Sequence, residues 1–436
     1  MKNKYYLTIT VLVLQLIFSE LNAQSKLTLK SDDLIKLKSG QVIKPSSELS
    51  DDKLKWNQFE NKLFTLNIGI SAFLDYNILA QNDASIELDG DISPELEFRA
   101  ERVMFSGELR FFKYPWKYLF SANYNGPTTE VDQPNFSIID LNIDIPFGKN
   151  SGWLSVGKVK EGVGYEYVLP GSQAMFTERG TGVPALIKQR NIGLRYNNTY
   201  FDERMTFIVG VYNNWLELNN EYSFSDNGMQ GTSRITGLLQ YKSDRELIHA
   251  GVGYRISGSG DGKFNYKAKP EVNTAPIFIE TGTFIANHSN TIMFEGLTVQ
   301  GPVSFLGEFM NVFVDGYEQG NLSFYYYQIG GCWFITGDNR RYNKRNGTLG
   351  KLIPLKNLSF KKGGGPGAIE VGARFTQSNF RDRDLDGGLF RRLTTALSWY
   401  PDNHFRFEFN FGYGWLNKDG LDGKTAFYQF RSQYEL

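Results

Sequence analysis

The stretch Phe405 to Tyr413 constrains this chain most. Phe405, Phe407, Phe409, Phe411 and Tyr413 alternate with Arg406, Glu408, Asn410 and Gly412. A period of two is a β-strand with one apolar and one polar face. Just before it, Leu393, Leu397 and Trp399 alternate with Arg392, Thr394, Ala396 and Ser398, and Pro401-Asp402-Asn403 supplies a tight turn between the two runs. A hairpin of long strands with faces of opposite polarity fits either a soluble sandwich or a membrane barrel. Repetition of the pattern and the state of the chain ends separate the two.

At the N-terminal end, Lys2 and Lys4 precede an apolar run from Tyr5 to Phe18, and Leu21-Asn22-Ala23 offers a cleavage site before Gln24. This reads as a secretory signal peptide over residues 1–23. An N-terminal anchor is the alternative, but the run is short for a spanning helix. No later stretch approaches the length of a transmembrane helix. At the other end Tyr428, Phe430, Tyr434 and Leu436 alternate up to the last residue. An apolar strand edge left open there makes little sense in a soluble fold. In a barrel it closes against the first strand, and it is similar to the C-terminal signal read by the outer-membrane assembly machinery.

Composition agrees with a barrel. Aromatic residues make up 15% of the chain, yet mean hydropathy is −0.36, as expected when half of each strand faces water. The single cysteine, Cys332, excludes an intramolecular disulfide and a cysteine-based metal cluster. Without the signal peptide the chain carries 45 cations and 46 anions. That balance names no partner, and neither a nucleic-acid partner nor a cofactor is expected.

Residues 24–61 are polar and aperiodic and read as a periplasmic lead-in. Residues 62–436 read as the barrel. Alternation starts at Phe64, and further strands are predicted near 96–112, 116–126, 137–146, 153–159, 188–198, 204–214, 233–242, 247–258, 289–300, 301–315, 321–336, 367–377, 389–400, 405–415 and 425–436. With the first, these make sixteen. The stretch 263–270 is placed inside a loop. With the first strand running outward, the linkers 113–115, 147–152, 199–203, 243–246 and 401–404 fall on the periplasmic side and are short. The segments 81–95, 127–136, 160–187, 215–232 and 259–288 fall outside and are longer, the asymmetry of an outer-membrane barrel. The fold class is therefore all-β, a transmembrane antiparallel barrel of sixteen strands.

Residues 334–375, FITGDNRRYNKRNGTLGKLIPLKNLSFKKGGGPGAIEVGARF, resemble the signature of the phosphate- and pyrophosphate-selective porins. Residues 384–409, with DLDGG, LSWY and HFRFEF, look like that family's last hairpin. GKVKEGVGYEYV at 157–168 and FTERG at 176–180 resemble its third-loop region, and KPEV at 269–272, ETG at 280–282 and GPVSFLGEF at 301–309 also match. The resemblance implies a sixteen-stranded outer-membrane barrel, usually trimeric, that passes small anions, with phosphate or polyphosphate as the suggested cargo.

Strand parity alone places twelve basic residues inward, among them Arg99, Arg195, Arg234, Arg255, Arg374, Arg392, Arg406 and Arg431. It places eleven acidic ones there too, among them Asp75, Glu97, Glu101, Asp140, Glu295, Glu308, Glu370 and Glu408. The wall by itself has no sign preference. Two segments do more. Residues 337–366 sit on the short-turn side yet run thirty residues, with Arg340, Arg341, Lys344, Arg345, Lys361 and Lys362 against Asp338 alone. A basic segment tethered at a mouth can fold into the lumen and focus positive potential there; as a solvated loop it would do neither. The outer loop 160–187 is the second, with Arg179 inside it and Lys188 and Arg190 at its end. Its charges nearly balance, so it is expected to set size more than sign. These nine basic residues are the candidate anion-binding groups of the pore.

Other motifs carry little. Asp382 to Gly387 opens like a calcium loop, but Leu393 stands where a bidentate Glu is needed. His249, His288 and His404 have no ligand spacing, and no catalytic constellation can be picked out. The alternatives to an anion porin are a channel for another small or apolar solute, of the fatty-acid-transporter kind, or a structural or adhesin barrel without transport. The polar stretch 24–61 offers little apolar surface for the plug such a transporter uses.

Overall fold

The computed structural model describes residues 56–124, 136–149, 151–187, 190–213, 228–317 and 320–436. The signal peptide and nearly all of the lead-in lie outside the described residues, as does Lys188.

Among the described residues sixteen long strands close into one antiparallel barrel. They are β1 (Thr65–Gln81), β2 (Glu95–Leu109), β3 (Trp116–Tyr124), β4 (Phe136–Pro146), β5 (Trp153–Val159), β6 (Asn191–Tyr200), β7 (Met205–Asn213) and β8 (Met229–Ser243). Then come β9 (Glu246–Gly258), β10 (Phe284–Gln300), β11 (Val303–Gly316), β12 (Leu322–Phe334), β13 (Ala368–Asp382), β14 (Leu385–Tyr400), β15 (Phe405–Lys418) and β16 (Leu421–Glu435). Each pairs with its chain neighbour, and β1 also pairs with β16, with Asp75 opposite Arg431 and Tyr76 opposite Phe430. That pairing removes the open edge. The stretch 263–270 does not span. Lys263–Phe264 pairs with the start of β10 and Lys267–Ala268 with Ile279–Glu280, both within the β9–β10 loop.

The register puts the apolar faces outward. On β15 and β16 the outward pairs are Phe405–Tyr434, Phe409–Phe430 and Phe411–Tyr428, with ring centroids 5.0, 4.7 and 5.3 Å apart. The polar partners Arg406, Glu408, Asn410 and Gln429 are buried on the lumen side.

The regular alternation is broken by several register shifts, and two departures bear on the lumen. A register shift opposite Phe73 and Leu74 adds a residue to β2, so that Arg99 and Ala100 together oppose one step of β1. Such a bulge flips the parity of everything beyond it. Glu101, expected inward, therefore faces out, paired in register with Ala72 and Tyr124, while Arg102 turns into the lumen. The second failure lies on the loop side of β10 to β16. There the inward residues include Phe284, Met310, Val312, Phe324, Tyr326, Phe380, Phe390 and Phe427, all buried. They meet Phe264, Tyr266, Val272, Phe278 and Ile279 of the β9–β10 loop in one apolar cluster. That long loop, expected outside, thus folds into the lumen as a packed core, because burying each such side chain contributes about 1.5–3 kcal/mol.

Candidate functional site

The lumen is divided. Two long segments enter it besides the β9–β10 loop. The first is the β5–β6 loop. Gly164, at φ 76°, turns it inward, where its one-turn helices Tyr165–Val168 and Gly182–Leu186 are almost wholly buried. Gly182 packs so closely on Tyr326 that a Cβ there would sit 2.2 Å from the Tyr326 ring, so no larger residue fits.

The loop is tied to the far wall by ion pairs. Arg374 of β13 bridges Glu166 and Glu271, each at 2.7 Å, and its guanidinium lies 4.5 Å from the Phe176 ring centroid. Glu161 takes Arg255 of β9 at 2.6 Å. Glu178 receives Arg99 at 2.7 Å and Arg431 at 3.0 Å. Burial alone would raise the Glu178 carboxyl, but those two guanidinium groups pull it down to about 2.

The second segment is 337–366, and its two parts differ. Residues 338–352 enter the barrel. Arg340 donates to Glu370 at 2.7 Å, to the Tyr400 hydroxyl at 2.8 Å and to the Gln173 carbonyl. Tyr342 pairs its hydroxyl with His249 Nδ1 at 2.6 Å. Arg234, ion-paired with Glu295, donates to the Asn346 carbonyl at 2.7 Å. Lys344 lies over the Tyr241 ring and Arg345 over the Trp153 ring, at 4.6 and 5.9 Å from the centroids. Arg341 is exposed. The second part stays at the rim: Ser359 and Leu358 are held by Gly365 and Pro401, and Lys361 and Lys362 are exposed.

Among the described residues a cavity of about 780 Å³ lies on the β1–β7 side, between that wall and the inward β5–β6 loop. Eight basic side chains and five carboxylates line it. Arg99, Arg190 and Arg431 have carboxylate partners; Arg190 holds Asp140 at 2.8 Å. Arg102, Lys160, Arg179 and Arg195 have none within ion-pair distance among the described residues. Instead they donate to neutral oxygens. Lys160 Nζ reaches the Tyr167 and Leu169 carbonyls, each at 3.1 Å, and Arg179 reaches the Glu166 and Leu169 carbonyls, each at 2.9 Å. Arg195 reaches the Lys160 carbonyl at 3.0 Å, and Arg102 the Asn123 amide oxygen at 2.8 Å. Burial, then Arg179 and Arg190 beside it, push the Lys160 ammonium well below the ordinary lysine range. Basic groups thus outnumber carboxylates eight to five in the lining, and four of them carry no ion-pair partner among the described residues.

A second cavity of about 600 Å³ shares Lys117 and Asp144 with the first and opens on the short-turn side, with Arg345 at its lip. The two cavities adjoin at Lys117 and Asp144 along β3–β7. Of the nine basic residues expected from sequence, Arg179 and Arg190 line the first cavity and Arg345 the second. Arg340 is locked in a buried ion pair away from both. Sequence reasoning did not single out Arg102, and it placed Lys160 among the basic residues of the outer loop without counting it as a candidate. The first was hidden by the bulge. The second stands one residue past β5, in the GKVKEG motif already singled out.

A closed barrel with lipid-facing aromatic strands and an inward loop that narrows a charged lumen defines the outer-membrane porins. The chain belongs to the family described as phosphate-selective porin O and P, whose match covers residues 75–435. It is thus an outer-membrane protein. Solved structures with the same fold include the outer membrane channel DcaP of Acinetobacter baumannii (TM-score 0.55, 11% identity, 87% of this chain and 99% of that one). The anion-selective porin from Comamonas acidovorans is also similar (TM-score 0.53, 11% identity, 86% and 100%). So is a trimer form of OmpT of Vibrio cholerae (TM-score 0.51, 11% identity, 86% and 100%). An uncharacterized protein of Caulobacter vibrioides is 38% identical over 80 residues, which is 18% of this chain and 15% of that protein's length.

Proposed function

We propose that this chain is a passive outer-membrane channel for small anions and has no enzymatic role. The observation that carries this reading is the group Arg102, Lys160, Arg179 and Arg195, four basic side chains lining one cavity with no carboxylate within ion-pair distance of them among the described residues, in a lining of eight basic groups against five carboxylates. An anion passing there meets a lining with an excess of basic groups in a confined, low-dielectric space. A multiply charged anion gains more from it than chloride does, because the Coulomb energy scales with charge. Phosphate, named in the family's description, is the expected cargo class, with pyrophosphate and short polyphosphates beside it.

The trimer form of the structurally similar OmpT supports a homotrimer of this chain. The apolar strand β16, whose aromatic face meets lipid, is the segment that the outer-membrane assembly machinery would engage.

Single-channel recording tests the reading. The reconstituted protein should show stepwise chloride current that added phosphate reduces at millimolar concentration. A barrel that inserts but passes no ions would instead be a structural or adhesin barrel.

A further inference from the structure

The outer wall carries a feature that ion passage does not use. Near the loop end, Tyr327, Gln377, Arg391, Trp415 and Lys424 lie side by side in register across β12 to β16, all facing away from the lumen. Arg391 and Lys424 are exposed, and among the described residues neither has a carboxylate partner. Arg391 spends one donor, Nε, on the Gln377 amide oxygen at 2.8 Å. Gln377 is in turn fixed by Tyr325 at 2.9 Å, so the guanidinium is held in place with its remaining N–H groups free to face outward. Arg391, Trp415 and Lys424 line a groove of about 420 Å³ together with Phe375, Leu389 and Asp422, whose carboxylate accepts from the Asn417 amide.

Height fixes what such a groove meets. Outward residues one step nearer the turn end are Leu393, Tyr413 and Ala426; one step the other way are Leu389, Asn417 and Asp422. The row therefore sits where apolar wall becomes polar. Trp399, donating to the Pro366 carbonyl at 2.8 Å, marks the opposite border. Eight residues separate Arg391 from Trp399 along β14, about 20 Å of height for strands tilted near 40°. That is close to the apolar band of such barrels, about 25 Å tall. An unpaired arginine and lysine at the outer border, either side of an interfacial tryptophan, face lipid headgroups.

We propose that the Arg391–Trp415–Lys424 groove binds a phosphorylated lipid headgroup of the outer leaflet, with the two cations taking the phosphate oxygens and the aromatic floor taking the first acyl carbons. The site faces lipid rather than the pore, so the occupant is a lipid and not phosphate in transit.

The test uses bisphosphorylated lipid A as the probe, added to the purified full-length barrel in detergent, with bound lipid counted by native mass spectrometry and followed by the shift in Tm. Wild type should retain lipid A, and lipid A stripped of its phosphates should bind about tenfold more weakly, the loss of one charge-assisted contact. Arg391→Gln/Lys424→Gln should lose the difference between the two lipids, while Arg391→Lys should keep part of it and Lys361→Gln/Lys362→Gln, on the opposite rim, all of it. Millimolar inorganic phosphate should not compete. Equal retention of both lipids by wild type, an unchanged preference in the double variant, or a loss of oligomer with lipid preference intact would each overturn the proposal. Channel recordings on the same double variant should match wild type, so this result is separable from the transport reading.

Discussion

The two sides of the lumen use the same residue types to opposite ends. Along β9 to β16 the interior is filled. Apolar loop residues such as Phe278 and Tyr266 pack on inward Phe390 and Phe324, and the arginines Arg255, Arg374 and Arg406 each hold a carboxylate. Along β1 to β7 a cavity opens among the described residues, and the half-buried Arg102, Lys160, Arg179 and Arg195 line it. The strands differ too: β3 to β7 run 7 to 11 residues, while β9 to β16 run 13 to 17. An arginine acts on a passing ion only where water reaches it and no carboxylate neutralises it. In the filled half it is part of the packing.

The largest expected effect lies in the filled half. Arg374→Ala strands Glu166 and Glu271 in a buried site without their shared cation. Breaking such a cluster should cost about 3–5 kcal/mol of unfolding free energy, measured by denaturant titration. A loss below about 1 kcal/mol, the range of exposed pairs, would show that water already reaches the cluster and would dissolve the contrast between the halves. A smaller effect is expected on the lipid face common to both halves. Phe407→Lys on β15 should cost about 2–4 kcal/mol of folding into bilayers.

The next prediction concerns pH and belongs to the open half. Lys160 is held well below the usual lysine range. It is charged at low pH and loses its proton as pH rises, so anion preference should weaken on alkalinisation before an ordinary lysine, near pH 10.4, would titrate. Reversal potentials taken along a pH series should show this fall, and Lys160→Gln should abolish it. A flat profile in wild type would mean the ammonium is solvated like a surface lysine. The smallest effect is expected from Lys361→Gln/Lys362→Gln. Both residues are at the exposed rim. Screening beyond about 8–10 Å in ordinary salt should leave selectivity nearly unchanged.

Much of this was legible in the residues. Period-two alternation, even strand number and the alternation of short and long linkers prescribe the barrel and its closure of β1 on β16. FTERG and GKVKEG marked the loop that carries Arg179 and Lys160. Arg102 was not legible, because one inserted residue in β2 reverses parity and no local signal marks the insertion. The apolar core was not legible either. Phe324, Phe380 and Phe427 read as breaks in alternation until the β9–β10 loop is seen folded against them. The charge-rich segment 337–366 attracted attention by composition, but composition does not say that Arg340 will find Glu370 and Tyr400. Long-range partners, not residue type, decide which cations remain free.

The most direct measurement is the reversal potential across a dilute potassium chloride gradient, comparing wild type with Arg102→Gln/Lys160→Gln/Arg179→Gln and with Lys361→Gln/Lys362→Gln. The open-half triple variant should lose its anion preference, with a reversal potential near zero. The rim variant should retain the wild-type value. A triple variant that inserts normally and keeps the wild-type reversal potential would contradict the account, because the excess basic groups of the open half would then not set the sign of the permeating ion.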